Sequence, residues 1–482
     1  MREYKPTIGM EVHIELQTKT KMFCGCKVDF GGEPNTRCCP VCIGLPGALP
    51  AVNKAAIDTM LKAALALNCN INYENYFHRK NYYYPDLPKN FQTSQYDCPL
   101  GYNGYLEICV GGKTKKIDIL RVHMEEDTGK LLHLESGKSL IDYNRSGTPL
   151  MEIVTQVPPR PGFDTIESAE EAREYVQRLR QLMVYIGVSD CKMEEGSMRC
   201  EPNISVRPAD SDKLGTKTEL KNLNSFRVVY LASDYEIKRQ SLALDMGEKI
   251  VQETRRWDDS KGETTVMRVK ESAQEYRYFP EPDLCPIVLD KDYCEEIRAT
   301  IGERPLEKER RFISEYSLPE SDAQVLTDDK KLADFYEEIA KVCDPKKTAN
   351  WILTELLKLT NQAGVSVEDC NIKAGDVIDI LTLIDKGVVN RNTAKTVFAE
   401  MFDTGKDAKT IIKEKGLEQV SDTDAIEKAI EEILAGFPKE VERYKAGEVK
   451  LMGFFTGQIM RQMKGKANPG VVNQILKQKL DQ

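Results

Sequence analysis

Residues 8–16, IGMEVHIEL, carry acidic and imidazole side chains at every second position. Side chains of an extended strand alternate between two faces, so Glu11, His13 and Glu15 share one face and the intervening apolar residues share the other. Carboxylates and imidazoles are metal ligands, but an ordinary edge strand with one solvated face shows the same alternation. This segment alone therefore leaves both interpretations open.

Two further strand-like segments place charged groups in comparable positions. In ILRVHMEE, the residues Arg121, His123 and Glu125 share one face. In TPLMEIV, Glu152 is the single carboxylate among apolar neighbours. A charge in such surroundings is costly unless a cation or hydrogen-bond donors accompany it, which favours Glu152 as a ligand.

Lysines accompany these carboxylates in a fourth segment. In TKTELKNLNSF, Lys217, Glu219 and Lys221 share one face, and in CEPNISVRP the residue Glu201 begins another polar face. Acidic groups suit Mg²⁺ and lysines suit phosphate oxygens, so one sheet holding all these strands would form a metal-assisted phosphoryl-transfer site. The chain has no phosphate-binding loop and no kinase motif, and a salt-bridged surface without catalysis is the alternative.

A second kind of metal site is indicated by FCGCKVDFGGEPNTRCCPVC. Cys24 and Cys26 form a C-x-C pair, and Cys39 and Cys42 form a C-x-x-C pair. Four thiolates suit tetrahedral zinc, and a closed four-sulfur site has a structural role. Cys38 could replace Cys39, but the C-P-x-C turn would then be lost; free thiols in a loop are the other alternative.

The elements that must position these groups divide the chain into three predicted domains, an expectation that also suits its 482 residues. Residues 1–290 mix alternating segments and turns with two helical patterns, at 166–186 and 228–247, which predicts a β-rich domain with core-facing helices. Residues 291–405 carry continuous helical patterns, and residues 406–482 form a smaller helical unit. The predicted fold class is α+β.

Composition and charge limit the partners and the cellular location that we expect for the protein. The net charge of −9 argues against general adhesion to nucleic acid, although a local basic patch is compatible with it. The N-terminus lacks a cationic start followed by an apolar run, and no stretch of 18 apolar residues is present. We therefore expect a cytoplasmic protein with no membrane partner, whose 14 cysteines are thiols or metal ligands.

Several of these segments together resemble the B subunit of the tRNA-dependent amidotransferase, the GatB family. The resemblance covers nearly the whole chain and rests on long motifs in the family's order: GMEVHIEL, CCPVCIGLPGALP, HMEEDTGK, DYNRSGTPLMEIV, MEEGSMRCEPNISVRP and GTKTELKNLNSF. It implies a ligase with a cradle-shaped N-terminal domain. Such an enzyme uses ATP to phosphorylate the side-chain carboxylate of glutamate on tRNA-Gln or aspartate on tRNA-Asn, and ammonia then displaces the phosphate.

The resemblance carries roles onto the residues already singled out. It implies that Mg²⁺ and ATP are bound by Glu11, His13, Glu125 and Glu152. Lys217, Glu219 and Lys221 would act on phosphate or order the substrate. Glu126 and Asp127 are alternatives to Glu125, and His123 is interpreted as a core histidine satisfied by a backbone carbonyl.

The C-terminal segment fits a role in binding tRNA. Residues 438–482 hold nine Lys or Arg against four Asp or Glu, within a chain of net charge −9. Basic side chains bind phosphates without reading bases. The predicted tRNA contacts are Lys450, Arg461, Lys464 and Lys466; a solvated helix face is the alternative.

The partners are also implied by the resemblance. No G-x-S-x-G elbow or comparable nucleophile for releasing ammonia is present. An amidase partner, the A subunit, would supply ammonia through a channel, and a small C subunit would wrap the pair. A non-catalytic RNA-binding protein and a metal-dependent ligase for a small acid are rival functions. The archaeal E-type subunit is excluded, because the chain has no room for its inserted domain; the choice between tRNA-Gln and tRNA-Asn stays open.

Overall fold

The computed structural model describes residues 2–269, 276–417, 423–463 and 469–480. The chain divides into two compact units, residues 1–305 and 306–482. All strands of the described residues lie in the first unit, and the second is helical. The predicted α+β class is therefore confirmed, while the three domain boundaries placed from the sequence stay predictions.

The strands of the first unit vary from two to fourteen residues in length. Their bounds are β1 (Tyr4–Glu15), β2 (Asn70–Ile71), β3 (Glu74–Asn75), β4 (His78–Asn81), β5 (Phe91–Ser94), β6 (Gly101–Val110), β7 (Lys113–Glu126), β8 (Lys130–His133), β9 (Ser139–Asp142), β10 (Pro149–Thr155), β11 (Met198–Pro208), β12 (Thr218–Lys221), β13 (Glu253–Asp258), β14 (Glu263–Val269), β15 (Phe279–Pro280) and β16 (Ile287–Val288).

Twelve of these strands form one sheet. Its order is β14-β13-β12-β11-β1-β10-β7-β5-β4-β15, and β6 pairs with both β7 and β2 beside this path. All pairs are antiparallel except β12 with β13, which are parallel and joined by a helical crossover. The polar strands identified in the sequence, β1, β7, β10, β11 and β12, are therefore consecutive or near neighbours in one sheet.

Four helices lie within the described residues of the first unit, and each begins with a side-chain cap. Ser168 and Ser225 accept hydrogen bonds from the backbone N–H groups of Glu171 and Val228, so each satisfies an otherwise unpaired donor of a first turn. The two helices so capped fall where the sequence predicts them. The bounds are α1 (Lys54–Ala66), α2 (Ala169–Tyr185), α3 (Phe226–Asp245) and α4 (Lys291–Ala299).

One face of the sheet packs against these helices. Met10, Val12 and Ile14 of β1 are at most 1% exposed and belong to the same apolar core as Tyr175 of α2 and Val229 of α3. Burying an aliphatic side chain of this size contributes roughly 1.5 to 3 kcal/mol. The alternation of β1 thus fixes its polar side chains on the opposite face.

The second unit consists of helices around two apolar cores, one formed by buried residues between 312 and 412 and the other between 426 and 480. A π-helical turn, Ile352–Leu356, separates two of the helices. None of the helices in the described ranges is long and apolar enough to cross a membrane. The bounds are α5 (Pro305–Tyr316), α6 (Glu320–Leu326), α7 (Lys330–Ala340), α8 (Pro345–Trp351), α9 (Leu357–Ala363), α10 (Ala374–Asp385), α11 (Arg391–Thr404), α12 (Ala408–Lys415), α13 (Thr423–Gly436), α14 (Pro438–Lys445), α15 (Leu451–Gln462) and α16 (Pro469–Leu480).

Candidate active site

The polar face of the large sheet borders a cavity of about 720 Å³ in the first unit, which we call the sheet cavity. Every residue predicted as a catalytic group lines it. These residues are Glu11, His13, Glu125, Glu152, Lys217, Glu219 and Lys221. The structure thus brings together groups that are separated by more than 200 positions in the sequence.

Three of these residues form what we call the histidine cluster: His13 of β1, Glu125 of β7 and Glu152 of β10. The ligand atoms of these side chains lie within 4.8 Å of one another. His13 Nε2 lies 3.8 Å from Glu125 Oε2 and 4.0 Å from Glu152 Oε1. Two carboxylates and one imidazole converging on one point form a donor set that fits a hard divalent cation.

Glu125 is buried among donors. Ser94 Oγ and Gln92 Nε2 each donate a hydrogen bond to its carboxylate, at 2.9 Å, and Lys80 Nζ lies 3.6 Å away. Burial alone would raise the pKa of Glu125, but the positive charge of Lys80 and the hydrogen bond with His123 hold this pKa well below its usual range. Glu125 is therefore ionised and fixed in orientation.

Glu152 is held in the same state by two imidazoles. Its Oε2 atom lies 2.8 Å from His123 Nε2. Burial would raise its pKa, yet the two histidines, His123 and His13, lower the pKa of Glu152 to about 2. The charge predicted as costly among apolar neighbours is thus compensated by partners on the strands either side.

His123 is buried as expected for a core histidine, but its partners are carboxylates and not the predicted backbone carbonyl. It is 2% exposed, and its Nε2 faces the carboxylates of Glu152 and Glu125 at 2.8 and 3.5 Å. Its Nδ1 has no hydrogen-bond partner among the described residues. His123 is thus a buried partner of both carboxylates of the histidine cluster.

Glu11 does not join the histidine cluster. Its ligand atoms lie within 4.8 Å of those of Glu201 and Glu219, a set that we call the glutamate cluster. Burial raises the pKa of Glu11, and the neighbouring carboxylates Glu152 and Glu201 raise it further. The four residues predicted as magnesium ligands are therefore divided between two adjacent clusters.

Hydrogen bonds and ion pairs already hold the glutamate cluster. Lys221 Nζ lies 2.7 Å from Glu201 Oε2 and 3.5 Å from Glu219 Oε1. Asn203 donates a hydrogen bond of 3.0 Å to Glu11, and Thr254 donates one of 2.7 Å to Glu219. These partners order the carboxylates at the boundary between β1, β11 and β12.

The two alternatives to Glu125 point elsewhere. Glu126 contacts Lys89 and accepts a hydrogen bond of 3.0 Å from the Thr93 amide. Asp127 lines the sheet cavity but is paired with Arg199, at 2.8 Å, and with Arg145, at 3.4 Å. Of the three neighbouring carboxylates, Glu125 is therefore the one placed beside His13 and Glu152.

Cationic side chains border the cavity near the glutamate cluster. Lys217 is exposed, and within the described ranges it has no ion pair or hydrogen bond. Arg199, Arg268 and Lys221 also line the cavity on strands β11, β14 and β12. Such a group of lysines and arginines suits a chain of phosphates.

Several residues of the cavity were missed by the sequence analysis. Arg199 lies two positions before Glu201 on the same alternating strand, so that alternation was a usable signal. Lys80 and Gln92 lie on the four-residue strands β4 and β5, too short for periodicity to reveal which face they occupy. Glu201 was visible on a polar face, but its partner Glu11 lies 190 residues earlier.

The four predicted zinc ligands also converge. The sulfur atoms of Cys24, Cys26, Cys39 and Cys42 lie within 4.8 Å of one another, whereas Cys38 lies outside this set. Tetrahedral zinc with Zn–S bonds of about 2.3 Å places its sulfurs about 3.8 Å apart, so the set fits the ion. All cysteines of the chain are free thiols.

A hydrogen bond between Cys24 and Cys42 favours a thiolate at Cys42. It lowers the pKa of Cys42 to about 4, despite partial burial, and the Cys39 amide and Lys21 act in the same direction. Lys21 Nζ lies 3.6 Å from Cys42 Sγ and also donates to the backbone carbonyl of Arg37. The thiolate form is the one that binds metal.

The predicted tRNA contacts are only partly described. Lys450 precedes α15 and Arg461 lies in its last turn, both exposed. Phe455 is buried in the core of this helical region, and Phe454 packs edge-on against Phe437. Lys464 and Lys466 lie outside the described residues.

Comparisons with known proteins identify the family of the chain. Residues 6–295 match the family described as the GatB/GatE catalytic domain, and residues 334–480 match the GatB domain. The B subunit of the aspartyl/glutamyl-tRNA(Asn/Gln) amidotransferase from Carboxydothermus hydrogenoformans is 52% identical over 485 residues, covering 100% of this chain and 99% of that protein. The proteins of the same name from a Thermoanaerobacter species and from Persephonella marina are 53% and 51% identical, over 99% of this chain and at least 99% of their own. Because both of its domains are matched and the likeness to these relatives is full-length, the chain belongs to the GatB family.

Proposed function

We propose that this chain is the B subunit of a tRNA-dependent amidotransferase and that it converts Glu-tRNA(Gln), Asp-tRNA(Asn) or both to the corresponding amides. It does so by phosphorylating the side-chain carboxylate with ATP. The proposal rests on the sheet cavity. This cavity is lined both by the histidine cluster and by a group of lysines and arginines that suits phosphates. The names of the relatives support the substrate assignment.

The chemistry requires activation because the oxygen of a carboxylate is a poor leaving group. A carboxylate oxygen of the substrate attacks the γ-phosphorus of ATP, the bond to the β-phosphate oxygen breaks, and ADP leaves. Ammonia then attacks the acyl carbon, phosphate departs, and the nitrogen gives up a proton to leave the amide. Positioning and charge neutralisation supply most of the catalysis in such a transfer.

Residues of the sheet cavity suit these tasks. Lys217, Lys221 and Arg268 neutralise the phosphates of ATP on one side of the cavity. Glu125 and Glu152, kept ionised by Lys80 and His123, provide fixed negative charge beside His13. A bound Mg²⁺, held by His13, Glu125 and Glu152 with Glu11 nearby, would supply further neutralisation of phosphate charge.

The other expectations belong to the same proposal. Ammonia comes from an A subunit acting on glutamine, and a C subunit joins the two. The four-cysteine site holds zinc in a structural role, supported by a donor set with no position left for a substrate. The basic C-terminal region, with Lys450 and Arg461 exposed, contacts the tRNA backbone in the cytoplasm, where aminoacyl-tRNA is made.

The test uses the chain with its co-purified subunits, mischarged glutamyl- or aspartyl-tRNA, ATP, Mg²⁺ and ammonium chloride, which bypasses glutamine hydrolysis. Amide on the tRNA and ADP are both quantified. We expect ATP-dependent amide from the unmodified protein and a loss of at least about a hundredfold in rate for Glu125→Gln, since an ionised group beside the reaction is removed. Glu135→Gln, an exposed carboxylate of the same size, serves as the matched control.

Three results would contradict the proposal. The first is the absence of ATP-dependent amide from either charged tRNA. The second is equal activity on a free amino acid, which would indicate a small-acid ligase. The third is tRNA binding without nucleotide turnover, which would indicate a non-catalytic RNA-binding protein.

A further inference from the structure

A row of tyrosines lies at one end of the sheet cavity. Tyr82, Tyr276 and Tyr278 line the cavity, and Tyr96 lines an adjoining pocket of about 400 Å³. The ring centroids of successive members lie 5.8 Å apart for Tyr82 and Tyr276, and 6.0 Å for Tyr276 and Tyr278. Tyr278 and Tyr96 are stacked at 4.2 Å with 9° between their planes. We call these four residues the tyrosine row.

The tyrosine row joins the protein surface to the histidine cluster. At its outer end, Tyr96 is 48% exposed. At its inner end, Lys80 Nζ lies 5.1 Å from the ring centroid of Tyr276 and 3.6 Å from Glu125 Oε1. One lysine side chain therefore separates the aromatic surface from the carboxylates that we place at the reacting centre.

An arginine without a partner accompanies the row. Arg121 lines both the sheet cavity and the adjoining pocket. Its Nε is buried without a hydrogen-bond partner, and among the described residues the side chain has no ion pair. Arg79 on strand β4, by contrast, is paired with Glu281 at 2.7 Å and Asp283 at 3.2 Å. Arg121 thus has no anionic partner among the described residues and is available to bind an anionic ligand.

Aromatic faces next to an arginine form the surface on which proteins hold unpaired nucleotides, because bases stack on the rings and the guanidinium meets phosphate or base. We infer that the tyrosine row and Arg121 bind the unpaired 3′-terminal nucleotides of the aminoacyl-tRNA and so bring the esterified amino acid to the histidine cluster. This inference rests on the proposed function.

The adenine of ATP is the other base that could occupy the row, and the distance between the row and the cations assigned to the phosphates of ATP argues against it. Lys217, Lys221 and Arg268 lie on or beside β12 and β14, whereas Lys80 lies on β4. In the sheet order, β12 and β4 are six positions apart, about 29 Å along the sheet at the usual strand spacing. We assign the triphosphate to these three cations, because the charge of Lys80 is already paired with Glu125. This assignment leaves the tyrosine row for the tRNA end.

The experiment measures two Michaelis constants in ammonia-driven amidation by the purified complex, one for aminoacyl-tRNA and one for ATP. We compare Tyr278→Ala, Arg121→Ala and Tyr96→Ala with the unmodified protein. Losing one stacked base raises the KM for aminoacyl-tRNA about tenfold and leaves the KM for ATP unchanged. Tyr278→Phe keeps the ring and retains affinity, and Tyr83→Ala, an 83% exposed tyrosine outside the row, is the matched control.

A binding measurement with shortened tRNA completes the test. Unmodified protein and Tyr278→Ala should bind tRNA lacking its unpaired 3′ nucleotides equally, because the variant removes a contact that this tRNA cannot make. A rise in the KM for ATP alone would assign the row to adenine and overturn the inference. Equal weakening for intact and shortened tRNA, or no weakening by Tyr278→Ala, Arg121→Ala and Tyr96→Ala, would also overturn it. Failure of the proposed function would appear separately, as an unmodified complex that forms no amide.

Discussion

His13 and Glu152 lie directly opposite each other on the antiparallel strands β1 and β10, and Glu152 in turn lies opposite His123 on β7. The register thus places one carboxylate between two imidazoles, with side-chain atoms 4.0 Å and 2.8 Å away. The carboxylate has a pKa of about 2, because the two histidines outweigh the effect of burial. It is therefore ionised and oriented throughout the physiological pH range.

The first prediction concerns which cluster holds the divalent cation. Glu152→Gln removes a charged ligand from the histidine cluster, so the Mg²⁺ concentration for half-maximal amidation should rise by at least about tenfold. Glu201→Gln, the matched change in the glutamate cluster, should raise it less. Titration of amide formation with Mg²⁺ at saturating ATP makes the comparison, and a larger effect of Glu201→Gln would place the ion in the glutamate cluster instead.

The second prediction concerns two adjacent cysteines, Cys38 and Cys39, of which only Cys39 belongs to the four-sulfur set. Cys39→Ser should abolish bound zinc and lower the melting temperature, because a structural zinc site contributes folding free energy. Cys38→Ser should retain the metal, since its sulfur lies outside the four-sulfur set. Metal analysis and thermal unfolding of both variants test this. Zinc loss in Cys38→Ser, or none bound by the unmodified protein, would contradict it.

The third prediction concerns a buried carboxylate away from both clusters. Glu236 of α3 accepts hydrogen bonds from Thr218 of β12 and Thr264 of β14, at 2.8 and 3.0 Å, and is paired with Arg239. Burial would raise its pKa, but the hydrogen bond and charge of Arg239 hold this pKa below its ordinary value of 4.5. Glu236→Gln should therefore cost about 2 kcal/mol at neutral pH, the usual contribution of hydrogen bonds to a charged group.

The sign of the pH dependence follows from that lowered pKa. In the unfolded chain Glu236 binds its proton at a higher pH than in the fold, so its stabilisation is complete above its unfolded pKa and declines as the pH falls through the folded value. The difference in unfolding free energy between the unmodified protein and Glu236→Gln should shrink between pH 7 and pH 3. Urea unfolding at both pH values measures it, and a difference that grows in acid would refute the assignment.

The sequence predicted those parts of the site that depend on local pattern. The alternation of β1 assigned Glu11 and His13 to one face, and the spacing of the cysteines predicted the four-sulfur set, because both signals lie within about twenty residues. It could not predict strand register. Register decides that Glu152 faces His13 and that Glu201 faces Glu11, and it is set by hydrogen bonds between segments far apart in the chain.

The aromatic end of the cavity was beyond sequence reasoning for a different reason. Tyr276 and Tyr278 precede the two-residue strand β15, and Lys80 lies on the four-residue strand β4, so neither segment is long enough to show a period. These residues meet because β15 pairs with β4, whose residues lie about 200 positions earlier in the chain. Their proximity depends on pairing between strands at the edge of the sheet, and no local sequence pattern indicates it.

The last prediction concerns the basic C-terminal region. Lys450 and Arg461 are exposed near the two ends of α15, so reversing both charges should weaken tRNA binding without disturbing the core around Phe455. Each phosphate contact contributes about 0.9 to the slope of log affinity against log salt, so the double variant Lys450→Glu and Arg461→Glu should show a shallower slope and about tenfold weaker binding at low salt. The double variant Lys341→Glu and Lys386→Glu, which changes exposed lysines at the ends of α7 and α10, gives the control for the same change in net charge. Filter binding of uncharged tRNA at several salt concentrations makes the measurement. An unchanged slope in the double variant would mean that α15 presents a solvated face, and that the affinity for tRNA resides elsewhere in the chain.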